Sequence, residues 1–109
     1  MLKKVSDLIG AELDYSVALA EGCVYGLPGT IHAFSPSTKW SQGGPIIARE
    51  KIHWGMSEQD DRMTYIASIF KKYNRPLTGP TELIAAMRCD VANKLGDTVE
   101  IPDEIGAPQ

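Results

Sequence analysis

The sequence predicts an α+β domain: a small, mainly antiparallel sheet with two main helices packed on one face and one short helix after a central loop. Three observations carry this. Apolar residues recur at three- and four-residue intervals from Gly10 to Gly22 and from Pro80 to Leu95, and a glycine closes each stretch. Short β-branched and aromatic runs, punctuated by glycine and proline, lie between them. Helical and strand-like stretches do not alternate regularly, as a doubly wound parallel sheet would require.

With 109 residues the chain can bury one modest core, so residues 1–102 are expected to form a single domain and 103–109 a flexible tail. Ile9, Leu13, Val17 and Ala20 define one face of the first helix. Leu8, Tyr15 and Leu19 widen it, Gly22 supplies a left-handed end, and Ser6-Asp7 can cap a short leading turn. Cys23–Leu27 and Thr30–Phe34 read as two strands joined by a tight turn at Pro28-Gly29.

A polar, turn-rich loop follows from Ser35, and Gly43-Gly44-Pro45 predicts a short helix beginning near Pro45, because a proline at the first helical position loses only an amide that would be unpaired there. Lys51–Trp54 then reads as a strand. The stretch from Ser57 to Tyr73 fits two patterns. Ser57-Glu58-Gln59-Asp60 resembles a capping box and Met63, Ile66, Phe70 and Tyr73 have helical spacing, while Met63, Tyr65, Ala67 and Ile69 alternate as a strand face does. The last helix opens at Thr78-Gly79-Pro80-Thr81-Glu82, presents Ile84, Met87, Val91 and Leu95 with support from Leu83, and closes at Gly96. Thr98–Ile101 is a short final strand ended by Pro102.

Composition excludes several classes of function. A chain 43% hydrophobic and 23% charged is globular in character, and its apolar runs fall short of a membrane span. Lys3 and Lys4 have no apolar segment of signal-peptide length behind them, so the expected compartment is the cytoplasm. A formal charge of −3 argues against a nucleic-acid binder, and Lys71, Lys72 and Arg75 read as a solvated cluster. Cys23 and Cys89 lack the spacing of a disulfide framework or a zinc knuckle.

Local spacing offers no reaction. His32 and His53 do not stand at ligand spacing with each other or with a cysteine, so no metal and no cofactor is expected. Asp60-Asp61 and Asp103-Glu104 are adjacent acids in polar segments, not carboxyls separated across a dry cleft. Gly-x-Ser-x-Gly is absent, and Ser35, Ser37 and Ser41 have only His32 nearby in sequence. Both Gly-Pro helix starts, at Gly44-Pro45 and Gly79-Pro80, would offer amides and a positive dipole end to an anion, although the proline lowers the number of donors. Trp40 and Gln42 have two readings: Trp40 folds over the core while Gln42 bonds the loop backbone, or both form an exposed recognition surface.

Five stretches carry a family resemblance: Val5-Ser6-Asp7-Leu8; Ser35-Pro36-Ser37-Thr38-Lys39-Trp40-Ser41-Gln42-Gly43-Gly44-Pro45-Ile46-Ile47; Gly79-Pro80-Thr81; Leu83-Ile84-Ala85-Ala86-Met87-Arg88; and Gly96-Asp97-Thr98-Val99-Glu100-Ile101-Pro102. Together they resemble the NinX proteins of lambdoid phages and prophages, with a divergent segment from about His53 to Leu77. The resemblance implies a small accessory protein of a temperate phage, with no activity or catalytic residue to carry over. That family often shows a Trp-x-Ala strand ahead of the last helix; Tyr65-Ile66-Ala67 takes its place here, which favours the strand reading of the ambiguous segment.

The functional expectation is a non-enzymatic phage or prophage protein that binds a host or phage protein. Its candidate binding residues are Ser37, Trp40, Gln42, Gly43, Gly44 and Arg49; a homo-oligomer is left open and no membrane contact is expected. The alternative is a small enzyme, or a binder of a small molecule or anion, that uses the same loop and helix start. A perturbed ionisable group in a concave pocket beside the loop would favour the alternative, and a flat apolar patch would favour the protein partner.

Overall fold

The structure is a computed structural model that describes residues 1–22, 35–59, 62–69, 73–103 and 105. The hairpin expected over 23–34, with Cys23 and His32, lies outside the described residues, as do Asp60, Asp61, Phe70, Lys71 and Lys72. The order of elements is β1 (Leu2–Lys4), a 3-10 turn (Val5–Asp7), α1 (Gly10–Glu21), α2 (Trp40–Glu50), β2 (Ile52–Gln59), β3 (Arg62–Ile69), β4 (Tyr73–Gly79), α3 (Glu82–Leu95) and β5 (Thr98–Glu100). They form the expected α+β class, with two antiparallel sheets among the described residues: β1 with β5, and a three-stranded sheet in the order β2-β3-β4. Helix α3 packs on all three strands of the larger sheet, and α1 and α2 pack against α3.

The two long helices end as their sequences require. Gly22 stands at φ 71° and takes up the last carbonyls of α1, and the amide of Gly96 donates to the Ala92 carbonyl at the end of α3. Thr81 caps α3, its hydroxyl accepting from the Ile84 amide at 3.1 Å. This helix therefore begins after Gly79-Pro80: Gly79 is the last residue of β4. A Cβ on Gly79 would stand 2.8 Å from the Ala85 nitrogen, so the glycine is where the first turn of α3 crosses the strand.

Burial along α3 is broader than an amphipathic stripe. Every residue from Leu83 to Ala92 is buried, including Arg88 and Asp90, whereas Leu95 is 39% exposed. A helix covered on one side by a sheet and elsewhere by other helices loses its polar face. Arg88 is accommodated because its guanidinium donates to the carbonyls of Leu8 at 2.8 Å and Thr78 at 2.6 Å, tying the start of the chain to β4. On α1 the buried run is Leu13 to Ala18, and Ile9 and Leu19 face solvent.

The segment from Ser57 is strand, and its capping-box reading is overturned: Ser57, Glu58 and Gln59 pair with Thr64, Met63 and Arg62. Helical spacing was present without a helix because β3 has the alternating pattern as well, and sheet pairing decides between them. Strand β4 was not foreseen. Pro76 interrupts its apolar pattern, and a proline is tolerated there because β4 is an edge of the sheet. At the other end of the chain, the Ile101 amide donates to the Met1 carbonyl at 2.9 Å, and Ile105 is buried in the core, its amide bonded to the Pro102 carbonyl.

Candidate functional site

The central stretch is ordered, in part through Gln42. The carbonyl of Ser35 accepts from the amides of Thr38 and Lys39, and the Ser35 amide donates to Gln42 Oε1 at 2.5 Å, so Gln42 does bond the loop backbone. Pro36 and Ser37 are buried, and the Ser37 amide donates to Asp14 Oδ1 on α1 at 2.9 Å. Burial pushes the Asp14 pKa up while the Ser37 hydrogen bonds partly offset it. The loop is anchored by Pro36 and Ser37, not by Trp40.

Helix α2 begins at Trp40, five residues before the expected start at Pro45. Pro45 lies inside it and has no amide for the Ser41 carbonyl, a loss an exposed residue can offset with water. The run Gly43-Gly44-Pro45 thus misled as a start signal. Gly43 is instead a close-packing position: a Cβ there would lie 2.5 Å from the Pro36 carbonyl oxygen and 2.7 Å from Leu83 Cδ2. An anion site at the amides of a Pro45 start does not exist, because those amides are inside the helix. The other Gly-Pro run precedes a helix whose first turn holds the Thr81 cap and the Glu82 carboxylate.

Trp40 does not fold over the core. It is 48% exposed, and its ring meets that of Trp54, 45% exposed, at a centroid distance of 6.3 Å and 52°. Trp54 in turn meets Tyr65 edge-on at 6.3 Å. The register explains the cluster. Ile52, Trp54 and Met56 share one face of β2 and stand opposite Ile69, Ala67 and Tyr65 of β3. At Ile52, Ala67, Ile69 and Leu77 this face is buried, while Trp54 and Met56, 56% exposed, continue the apolar face into solvent beside the start of α2. An open groove of about 290 Å³ lies next to Trp40, lined by Ser37, Thr38, Thr81, Glu82, Leu83 and Ile84.

The six candidate residues are therefore divided. Ser37 and Trp40 border the groove, Gln42 and Gly43 hold the loop against α2, and Gly44 is beside the Trp40 ring, where a Cβ on it would stand 3.7 Å from Cε3. Arg49 stands about 13 Å from Trp40 along the helix axis. There it bonds Glu50 at 2.8 Å and Glu21 of α1, and Lys94 of α3 adds contacts of 2.7 Å to Glu21 and 3.2 Å to Glu50. Sequence reasoning missed Trp54, Met56 and Tyr65 as neighbours of Trp40; the alternating pattern of 63–69 was the available signal for Tyr65, and no local signal joined it to Trp40.

None of the ionisable groups described above with a raised pKa is itself part of the groove lining. Burial pushes the Cys89 thiol up to about 12, aided by Asp90, which removes it as a nucleophile. Asp14 lies behind Ser37 and does not line the groove. No helix among the described residues is long and apolar enough to cross a membrane.

No curated protein matches this chain. The family described as bacteriophage P22 NinX matches residues 4–94, a span that takes in the loop, α2, the larger sheet and nearly all of α3, and the chain belongs to that family.

Proposed function

We propose that this phage protein is a non-enzymatic binding module that docks a host or phage protein in the cytoplasm of the bacterial host through the aromatic surface around Trp40. The observation that carries this is the pair of half-exposed tryptophans, 6.3 Å apart, with Met56 beside them. Tryptophan, tyrosine and methionine are enriched where partners meet: the two aromatics bury a large area with few torsions to fix, and the flexible methionine adapts to a partner's shape. Two adjacent indoles left half in water keep apolar area that a partner would bury. Ser37, Gln42, Gly43 and Gly44 contribute by fixing the loop and the first turns of α2 under Trp40. Arg49 belongs to the far end of the helix, so it leaves this surface.

The rival reading, a small enzyme or small-molecule binder at the same loop, finds an open groove whose lining among the described residues holds no histidine, cysteine or lysine. The test is affinity capture from infected or induced cells with tagged protein. A partner held by the native chain should be lost with Trp40→Ala and with Trp54→Ala, and kept with Leu2→Ala on the other sheet. A partner retained equally by all three variants would refute the assignment of the surface.

A further inference from the structure

The C-terminal ends of α1 and α2 meet the middle of α3 at three carboxylates. Glu21, Glu50 and Asp90 each present an oxygen, and the three oxygens lie within 4.8 Å of one another. Such a cluster is common on protein surfaces and says little alone. The second observation concerns Asp90. It is completely buried, and neither of its oxygens has a hydrogen-bond partner; its ion pair with Lys94, at 3.5 Å, is the longest of the three that this ammonium makes. A buried carboxylate left in this state costs several kcal/mol unless something supplies what it lacks.

The geometry points to a divalent-cation site at Glu21, Glu50 and Asp90, in which the ion displaces the Lys94 ammonium. Lys94 already marks the position favoured by positive charge, since its Nζ stands 2.7, 3.2 and 3.5 Å from the three carboxylates. Its side chain is 27% exposed, so it can turn out to water from the last turn of α3. The donor set is all oxygen, which suits a hard ion such as Mg²⁺, Mn²⁺ or Ca²⁺, with water completing the shell. Oxygens opposite one another stand about 4.2 Å apart around Mg²⁺ and about 4.8 Å around Ca²⁺, within the spacing found here. The charge also fits: three carboxylates share Lys94 and Arg49, and Asp90 would gain a closer cation than Lys94 at 3.5 Å. This runs against the sequence expectation of no metal, which rested on local ligand spacing.

Mn²⁺ is the probe, because the loss of its free-ion electron paramagnetic resonance signal measures binding directly. Purified full-length protein, cleared of metal, should take up one equivalent. Asp90→Asn and Glu50→Gln should each weaken uptake by about tenfold or more, as loss of a ligand does. Lys94→Met should tighten it by about tenfold, since the competing ammonium is gone. That gain distinguishes an ion site from a purely structural ion-pair network, which Lys94→Met would only weaken. If Lys94→Met fails to fold, the native chain and Asp90→Asn still decide. No bound Mn²⁺ at millimolar concentration in the native chain, or uptake unchanged by Asp90→Asn, would overturn the inference.

Discussion

Replacing Gly43 and Gly44 by alanine, one at a time, should change stability in opposite directions. Both lie inside α2 with negative φ, so alanine gains the usual helix advantage of about 1 kcal/mol at each. At Gly44 the new methyl would sit 3.7 Å from Trp40 Cε3, an ordinary contact, but Pro45 follows and disfavours helical backbone at a residue that carries a Cβ, so about 0.5 kcal/mol of the gain survives. At Gly43 it would be 2.5 Å from the Pro36 carbonyl oxygen, which is backbone and held by the buried Pro36-Ser37 pair. Forcing that loop away should cost about 3 kcal/mol, the upper end of ordinary overpacking, for a net loss of about 2 kcal/mol. In a domain of this size about 1 kcal/mol moves the melting temperature by about 4 °C. Gly44→Ala should therefore melt about 2 °C higher and Gly43→Ala about 8 °C lower than the native chain. Thermal and urea unfolding followed by circular dichroism, with m unchanged, measures both. If the helix began at Pro45, neither glycine would be helical and no opposition of sign would arise. Equal effects at the two positions would therefore refute both the helix start and the close packing of Gly43 on Pro36.

Met87→Asp should abolish a cooperative transition near ambient temperature, because Met87 is fully buried in α3 and an unpaired charge there costs upwards of about 4 kcal/mol. Leu95→Asp, on the same sequence-predicted face but exposed at the helix end, should cost about 1 kcal/mol or less; similar losses from the two would contradict the placement of α3. The third prediction concerns pH in chelated buffer. Burial and the adjoining Glu21 carboxyl push Asp90 up to about 7 from 3.8. The native state then holds a proton that the unfolded chain releases, so this stability is fully present below pH 3.8 and is lost as pH rises to about 7. Glu21 and Glu50, held low by Lys94 and Arg49, act oppositely and lose their contribution only as pH falls below 4.5. The urea midpoint should therefore fall between pH 5 and 7.5, and Asp90→Asn should flatten most of that fall, with Asp14 supplying a remainder of the same sign. An unchanged slope in Asp90→Asn would show that another group carries the proton.

The sequence by itself determined what depends on neighbours along the chain. Three- and four-residue periodicity with a closing glycine located α1 and α3, and Gly22 and Gly96 stand where the helices end. The hydroxyl, amide and proline content of Ser35–Gln42 marked an ordered segment, and Gln42 bonds its backbone. Those features are satisfied within a turn or two, so their signals are local.

Only the tertiary structure decided what the two Gly-Pro runs are for. A proline after glycine reads as a helix start, yet Gly43 and Gly79 are needed because Pro36 and Ala85 approach them, and an approach from another segment has no period. Periodicity likewise could not tell strand from helix across Ser57 to Tyr73, because both patterns were present and pairing with β2 and β4 chose between them. Trp40 and Trp54 come together from a helix and a strand 14 residues apart. Glu21, Glu50 and Asp90 come from three helices. Such constellations arise because packing brings distant side chains to one place, and spacing along the chain does not record where the chain folds back.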